Sequence, residues 1–310
     1  MKDRMKVILS RKGFDSSYGG MPSPVLPNES GNWDGGTLLS LPIPEVGGDE
    51  ETTITYGDLK YPSVSGKGVL SYADIIGKLS PNTKKLAKEV SWPVGKPPKC
   101  HLDPDIRKEE YGRKEGWRGA FGQSGAALSH LKITNKVGKG DLFLFFGWFR
   151  KAEWKDSGSL EYVQGGNDTH IIFGYLQIGE IITDKEKVPD WLEDHPHALC
   201  VDGGNCIFVA ADGLSLAPGL PGYGCLTYNG QRVLTDEKMS PVRRTRWRKD
   251  CLPVSDPRIP LTYHSENSWK DDRYFQSASI GQEFVFLPEN ESQQKCLERW
   301  ARGIITGEPS

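Results

Sequence analysis

The sequence predicts an α+β fold: a mixed or antiparallel β core with peripheral helices and long Gly/Pro-rich loops. Two apolar runs predict the core. Asp141-Leu-Phe-Leu-Phe-Phe-Gly-Trp-Phe-Arg150 and Ile171-Ile-Phe-Gly-Tyr-Leu-Gln-Ile-Gly-Glu-Ile181 carry apolar residues on both faces, as central strands covered from two sides do. The loops are predicted by 36 glycines and 21 prolines among 310 residues, too many interruptions for a helical bundle. With 36% apolar and 26% charged residues, the balance is that of an ordinary globular chain, long enough to bury a full core.

The elements follow in order. A short strand, Met5-Lys-Val-Ile-Leu-Ser10, runs into a polar, glycine-bearing loop that ends at Gly20. Prolines 22, 24, 27, 42 and 44 then predict an extended course across the surface, because proline cannot donate to a central ladder. Ser71 caps a helix over Tyr72 to Leu79, and Pro81 opens another over Asn82 to Val90. Between Gly116 and Lys132, the pattern Ala120, Phe121, Ala126, Ala127, Leu128, Leu131 reads as a glycine-weakened helix or helix pair. Residues 151–169 form the polar loop of a long hairpin between the two apolar strands. Shorter strands are expected at 206–210 and 282–286. A closing helix has Asn290 as its cap, Gln293 at the capping-box position, and Cys296, Leu297, Trp300 and Ile304 on one stripe. No repeat or long linker divides the chain, so one domain over 1–310 is expected.

Charge and composition exclude several function classes. Lys and Arg number 39 against 41 Asp and Glu, a net charge of −2, which disfavours non-specific binding of nucleic acid over the whole surface and leaves room only for a local basic groove. The longest strongly apolar run, Leu142 to Phe149, is far short of the ~20 residues of a membrane-spanning helix. The N-terminal Val7-Ile-Leu9 is likewise shorter than the ~7–15 apolar residues of a signal peptide. The six cysteines (100, 200, 206, 225, 251 and 296) are scattered without a CxxC pair, as reduced thiols rather than a disulfide scaffold. The expectation is a cytoplasmic protein without membrane contact.

Four segments concentrate groups that could carry chemistry. Ser10-Arg-Lys-Gly-Phe-Asp-Ser-Ser17 brings hydroxyls, two cations and the Asp15 carboxylate to the end of a buried strand. Ser10, Arg11, Lys12, Gly13 and Ser16 are the parts of an anion cradle, although the loop matches no nucleotide-binding fingerprint and a solvated turn has the same composition. In Cys100-His-Leu-Asp-Pro-Asp105, an extended backbone would set His101, Asp103 and Asp105 on one face. Such a set could serve as acid and base, or supply two legs of a facial metal triad completed by a distant His170 or His195. A turn leading into a helix cap fits the same residues, and no metal ligand set is assigned. His195-Pro-His197 with Cys200 and Cys206 matches no standard zinc spacing and reads as a loop after a turn containing Trp191. Last, Arg243-Arg-Thr-Arg-Trp-Arg-Lys249 is the one local basic cluster. It fits either a phosphate-tracking segment, with Arg243, Arg244 and Arg246 on phosphates and Trp247 on a base, or a charge-protected edge strand.

The hairpin built from Gly140-Asp-Leu-Phe-Leu-Phe-Phe and Phe173-Gly-Tyr-Leu-Gln-Ile-Gly-Glu resembles the core of the PUA, ASCH and EVE group of small β-barrels, which implies a PUA-like core within 137–290. More of the chain resembles a second family. Leu9-Ser-Arg-Lys-Gly-Phe-Asp-Ser-Ser-Tyr-Gly-Gly-Met-Pro-Ser-Pro24, Leu41-Pro-Ile-Pro-Glu45, His101-Leu-Asp-Pro-Asp105, Phe121-Gly-Gln123, the two apolar strands, His195-Pro-His197 and Gly281-Gln-Glu-Phe-Val285 are together similar to the nucleotide modification associated domain, type 3, of bacteria and phages. The resemblance implies a nucleotide or nucleic-acid setting, with other proteins of a DNA-modification pathway as partners. It names no reaction and no cofactor. It also adds Gln123, His195, His197, Gln282 and Glu283 to the candidate residues.

Two readings follow. In the first, the protein is an enzyme acting on a base or nucleotide: Arg11 and Lys12 hold phosphate, Asp15 or Asp103 is the acid or base with His101 as partner (Asp105 nearby), and Gln123 or Gln282 reads a base edge. In the second, it is a non-catalytic reader of modified or flipped bases, with Phe145, Phe146, Trp148 and Tyr175 as stacking surfaces.

Overall fold

A computed structural model describes residues 4–45, 52–61, 68–79, 97–202, 204–270, 273–278 and 283–308. The helix expected from Asn82 to Val90 and the candidate Gln282 lie outside the described residues.

The two apolar runs form the long antiparallel pair at the centre. In chain order the main elements are β1 (Val7–Arg11), β2 (Ser23–Leu26), α1 (Tyr72–Leu79), β3 (Ala120–Ser124), α2 (Gly125–Ser129), β4 (Leu142–Trp154), β5 (Thr169–Ile182), β6 (Asn205–Ala210), β7 (Glu283–Phe286) and α3 (Glu291–Thr306). They make an α+β protein with a mixed sheet in the order β7-β1-β4-β5-β6-β3. Only the pairings of β1 and β2 with β4 are parallel; β7 on β1, β5 on β4, β6 on β5 and β3 on β6 run antiparallel. The sheet is open among the described residues and does not close into a PUA-like barrel. Nor is any helix there long and apolar enough to cross a membrane.

Alternation along β1 explains why the strands read as apolar on both faces. Val7 and Leu9 join a core with Leu144, Phe146, Trp247 and the α3 stripe Leu297, Trp300, Ala301 and Ile304. Ile8 points the other way, into a core of Phe121, Phe143, Phe145, Phe173 and Phe208 with Leu128 and Leu131. α3 begins as its sequence predicts, with the Asn290 side chain accepting from the Gln293 N–H, and ends at Gly307 in the left-handed conformation. At the far end of β4, a third core packs Tyr72, Ile75 and Ile76 of α1 against Phe14, Leu41, Cys100 and Leu102. This core fixes the segment that carries His101.

Two local expectations are overturned. The proline segment is not a surface strap: 21–26 are buried, and β2 pairs with residues 149–151 of β4 on one side and 37–38 on the other. Between two neighbours, carbonyls serve the ladder even where Pro24 lacks an N–H, and the Leu39 N–H donates to the Pro24 oxygen at 3.2 Å. The stretch read as helical from Gly116 begins instead with strand β3, paired to 205–209 of β6. Helix starts only at Gly125 and continues as a π-helical turn over His130–Thr134. The intrinsic preference of Ala120 and its neighbours yields to a tertiary ladder that buries Phe121 completely.

Candidate functional site

The C-terminal end of β1 divides the first candidate loop between the two faces of the sheet. Ser10 follows Ile8 onto the Phe121 face, directly opposite Glu283 in the β1–β7 register. There the Lys12 ammonium lies 3.0 Å from Glu283 Oε1 and 4.5 Å from the Phe121 ring centre. The Gln123 amide donates to the same Oε1 at 2.7 Å. Ser10 Oγ and Glu283 Oε2 are both buried without a hydrogen-bond partner among the described residues. Orphaned polar atoms of this kind are rare in folded proteins.

Beside this group, three further segments meet. The short strand Cys100–His101 pairs with Ile43–Pro44, which brings Glu45 next to His101: Glu45 Oε2 is 3.2 Å from His101 Nδ1. The opposite ring nitrogen, Nε2, lies 3.2 Å from Nε2 of His197. His197 is held by Asn205 at the start of β6. Asn205 Nδ2 donates to the Cys200 carbonyl at 3.0 Å, which leaves its Oδ1 to face His197 Nδ1 at 2.8 Å. His197 also packs against Gly122 of β3. A Cβ on Gly122 would stand 2.2 Å from the imidazole, so only glycine admits the ring this close to the strand.

Asp103 completes the cluster. Its Oδ1 accepts from the Gly122 N–H at 2.7 Å and lies 3.4 Å from His195 Nε2. Burial would raise its pKa, yet His195, His197 and Lys12 outweigh burial and lower it to about 2, so Asp103 is a carboxylate at neutral pH. Burial, aided by the charges of His195 and His101, lowers His197 to about 4, so that ring is neutral there. Asp103 also lines a small cleft with Ser40, Pro42 and Arg107.

Other candidates lie elsewhere or are engaged otherwise. Asp105 does not share a face with Asp103. The extended run stops where the Asp103 N–H turns back to the His101 carbonyl at 2.9 Å, so a period of two does not reach Asp105. Its carboxylate takes a two-pronged contact from Arg113 at 2.7 and 2.5 Å and a bond from Trp117 Nε1 at 3.3 Å. Arg11 alternates onto the other face, where its charge reaches the buried His170 and Arg244. Asp15 caps its own turn through the Ser17 and Tyr18 N–H groups, each at 2.7 Å, and Arg244 donates to Ser16 Oγ at 3.3 Å. Gly13 has a positive φ of 79° at the start of that turn.

The distant histidine that meets His101 and Asp103 is therefore His197. His170 is buried on the far side of the sheet, where it accepts from Trp247 Nε1 at 3.1 Å. His195 touches Asp103 without joining the facing pair. Cys200 is exposed and Cys206 buried, and neither belongs to the one metal-capable group among the described residues, His101, Asp103 and His197. Trp247 is fully buried and offers no face to a base; its strand pairs with Tyr274–Gln276. Arg244 lies 4.0 Å over the Trp148 ring and Arg246 5.2 Å over Tyr274, while Arg243 is exposed. Phe145, Phe146 and Tyr175, expected as stacking surfaces, are core residues.

Sequence reasoning missed Glu45 and Asn205. Glu45 closes the segment Leu41-Pro-Ile-Pro-Glu45 already singled out by resemblance, and its carboxylate was the available signal. Asn205 gives none, since an isolated asparagine before a strand reads as a turn residue.

Residues 6–287 match the family model for nucleotide modification associated domain 3. No curated protein and no solved structure matches the chain.

Proposed function

Because the chain belongs to the nucleotide modification associated domain 3 family, we propose that it is an enzyme acting on a base or nucleotide, with its chemistry at His101, Asp103 and His197. The observation that supports this reading best is convergence. Residues near positions 10, 123 and 283 and residues near positions 45, 101 and 197 form two polar groups beside β3, close enough that the buried Lys12 ammonium of the first acts on the ionised Asp103 carboxylate of the second, which also holds the neutral His197 imidazole. A sheet of this kind holds together through its apolar faces; buried charge at a strand end is costly unless paired and hydrogen-bonded, and such groups cluster at functional sites.

Within that reading, Lys12 supplies positive potential for an anionic substrate group, and Ser10 Oγ and Glu283 Oε2 beside it are without hydrogen-bond partners among the described residues. Gln123 is engaged at both ends: its amide nitrogen donates to Glu283 and its oxygen accepts the Ser124 N–H at 3.1 Å. In this geometry it orients Glu283. A pure reader is disfavoured because most of the hairpin aromatics lie in the core, and Trp148 is covered by Arg244.

The test is nucleoside mass spectrometry of DNA from cells carrying the protein and its pathway. Asp103→Asn is expected to abolish the modified nucleoside while the variant accumulates as folded protein. Unchanged nucleoside levels in both Asp103→Asn and His197→Gln would overturn the assignment.

A further inference from the structure

We propose that His101 Nε2, His197 Nε2 and a carboxylate oxygen of Asp103 bind one divalent transition-metal ion. The argument starts from the tautomers that the hydrogen bonds impose. Glu45 offers only acceptors to His101, so Nδ1 of that ring carries the proton and Nε2 presents a lone pair. Asn205 is oriented by its donation to the Cys200 carbonyl, so its Oδ1 is the acceptor for His197 Nδ1–H, and His197 Nε2 presents a lone pair as well. Two lone pairs thus lie 3.2 Å apart. Unless a proton or a metal ion is shared between them, the contact is repulsive.

That separation is what shared coordination produces. With metal–nitrogen bonds of ~2.0–2.1 Å, neighbouring ligand atoms around a tetrahedral or octahedral ion stand roughly 2.8–3.4 Å apart. The ligand atoms of His101, Asp103 and His197 all fall within 4.8 Å of one another, so Asp103 draws in on binding.

The surroundings match as well. In metal sites the second nitrogen of a ligating imidazole is held by a carboxylate or carbonyl, and ligating carboxylates are themselves hydrogen-bonded. Glu45 does this for His101, Asn205 for His197, and the Gly122 N–H for Asp103. His195 lies beside the set, its buried Nε2 without a hydrogen bond among the described residues. Its Nδ1 accepts from the His197 N–H at 3.2 Å, which leaves the proton on Nε2, facing Asp103 Oδ1 at 3.4 Å. Both of these Asp103 contacts fall on Oδ1, so Oδ2 is the oxygen left for a metal. Two imidazoles and one carboxylate favour iron(II), cobalt(II), nickel(II) or zinc(II) over magnesium or calcium. Three protein ligands leave coordination positions open, as in catalytic rather than closed structural sites. The inference stands on this geometry and not on any reaction, so its failure would leave the base-modification reading to its own test.

The experiment is metal titration of the full chain, stripped with a chelator and checked for folding by circular dichroism. Cobalt(II) is followed by visible absorption and zinc(II) by calorimetry. One equivalent is expected. His101→Gln, in the more exposed of the two facing rings, and His197→Gln should each weaken binding by at least about 100-fold, and Asn205→Ala by about 10–100-fold. His264→Gln, on the opposite core, should leave binding unchanged. Binding well below one equivalent, or one equivalent retained with undiminished affinity in both His101→Gln and His197→Gln, would overturn the proposal.

Discussion

The Nε2 atoms of His101 and His197 face each other at 3.2 Å, and the Nδ1 atom of each ring is held by an oxygen, from Glu45 in one case and Asn205 in the other. Residues 96 positions apart are thereby fixed in one orientation on the face of β3, beside a carboxylate and a buried lysine.

Gly122 is the contact that lets His197 reach the site. A methyl group there would sit 2.2 Å from the imidazole, and neither the strand nor the Asn205-bound ring can give way freely. Gly122→Ala is expected to destabilise the fold by about 1–3 kcal/mol in urea unfolding and to displace His197. An unchanged midpoint together with an unchanged His197 imidazole resonance in NMR would contradict this account.

Lys12 and Glu283 form an ion pair that is almost wholly shielded, with side-chain exposures of 10% and 1%. Removing one partner leaves the other charge buried, at a cost of about 3–5 kcal/mol. Lys12→Met should therefore be strongly destabilising, and adding Glu283→Gln should recover much of the loss. Additive effects in the double-mutant cycle would show that the two charges do not depend on each other.

Glu110 gives a pH dependence of known sign. Burial raises its pKa to about 7 from 4.5, with Asp105 adding to the shift, while Arg107, the Tyr72 hydroxyl and Arg113 oppose it. Between pH 4.5 and about 7, the folded protein holds a proton that the unfolded chain has lost. Stability therefore falls as pH rises through that window and levels off above it. Relative to Glu110→Gln, the wild type should lose stability between pH 5 and 7 in urea titrations. Parallel curves would show that Glu110 ionises normally.

Much of the fold was legible because its strongest signals are local. The runs that became β4 and β5 are apolar whatever they pair with, and the Asn290 cap and stripe of α3 lie within one helix. β3 was misread because its partner strand begins some eighty residues later, and nothing in Ala120 to Ser124 announces that ladder. The site followed the same division. His101, Asp103 and Lys12 were visible as ionisable residues in polar segments, whereas Gln123, His197 and Glu283 entered through the family resemblance. The pairing of His101 with His197 was not visible, because loop histidines carry no periodicity that separates His197 from His170 or His195. Arg11 and Asp15 stood beside Lys12 in the sequence, but alternation along β1 and a self-capped turn direct them away from it.

The central claim, that these distant segments build one metal-centred site, is tested most directly by anomalous scattering from crystals of the full chain soaked in zinc(II). The account predicts a single strong peak about 2.0–2.2 Å from His101 Nε2, His197 Nε2 and one Asp103 oxygen. A map with no peak there, or with zinc bound only at other residues, would contradict it.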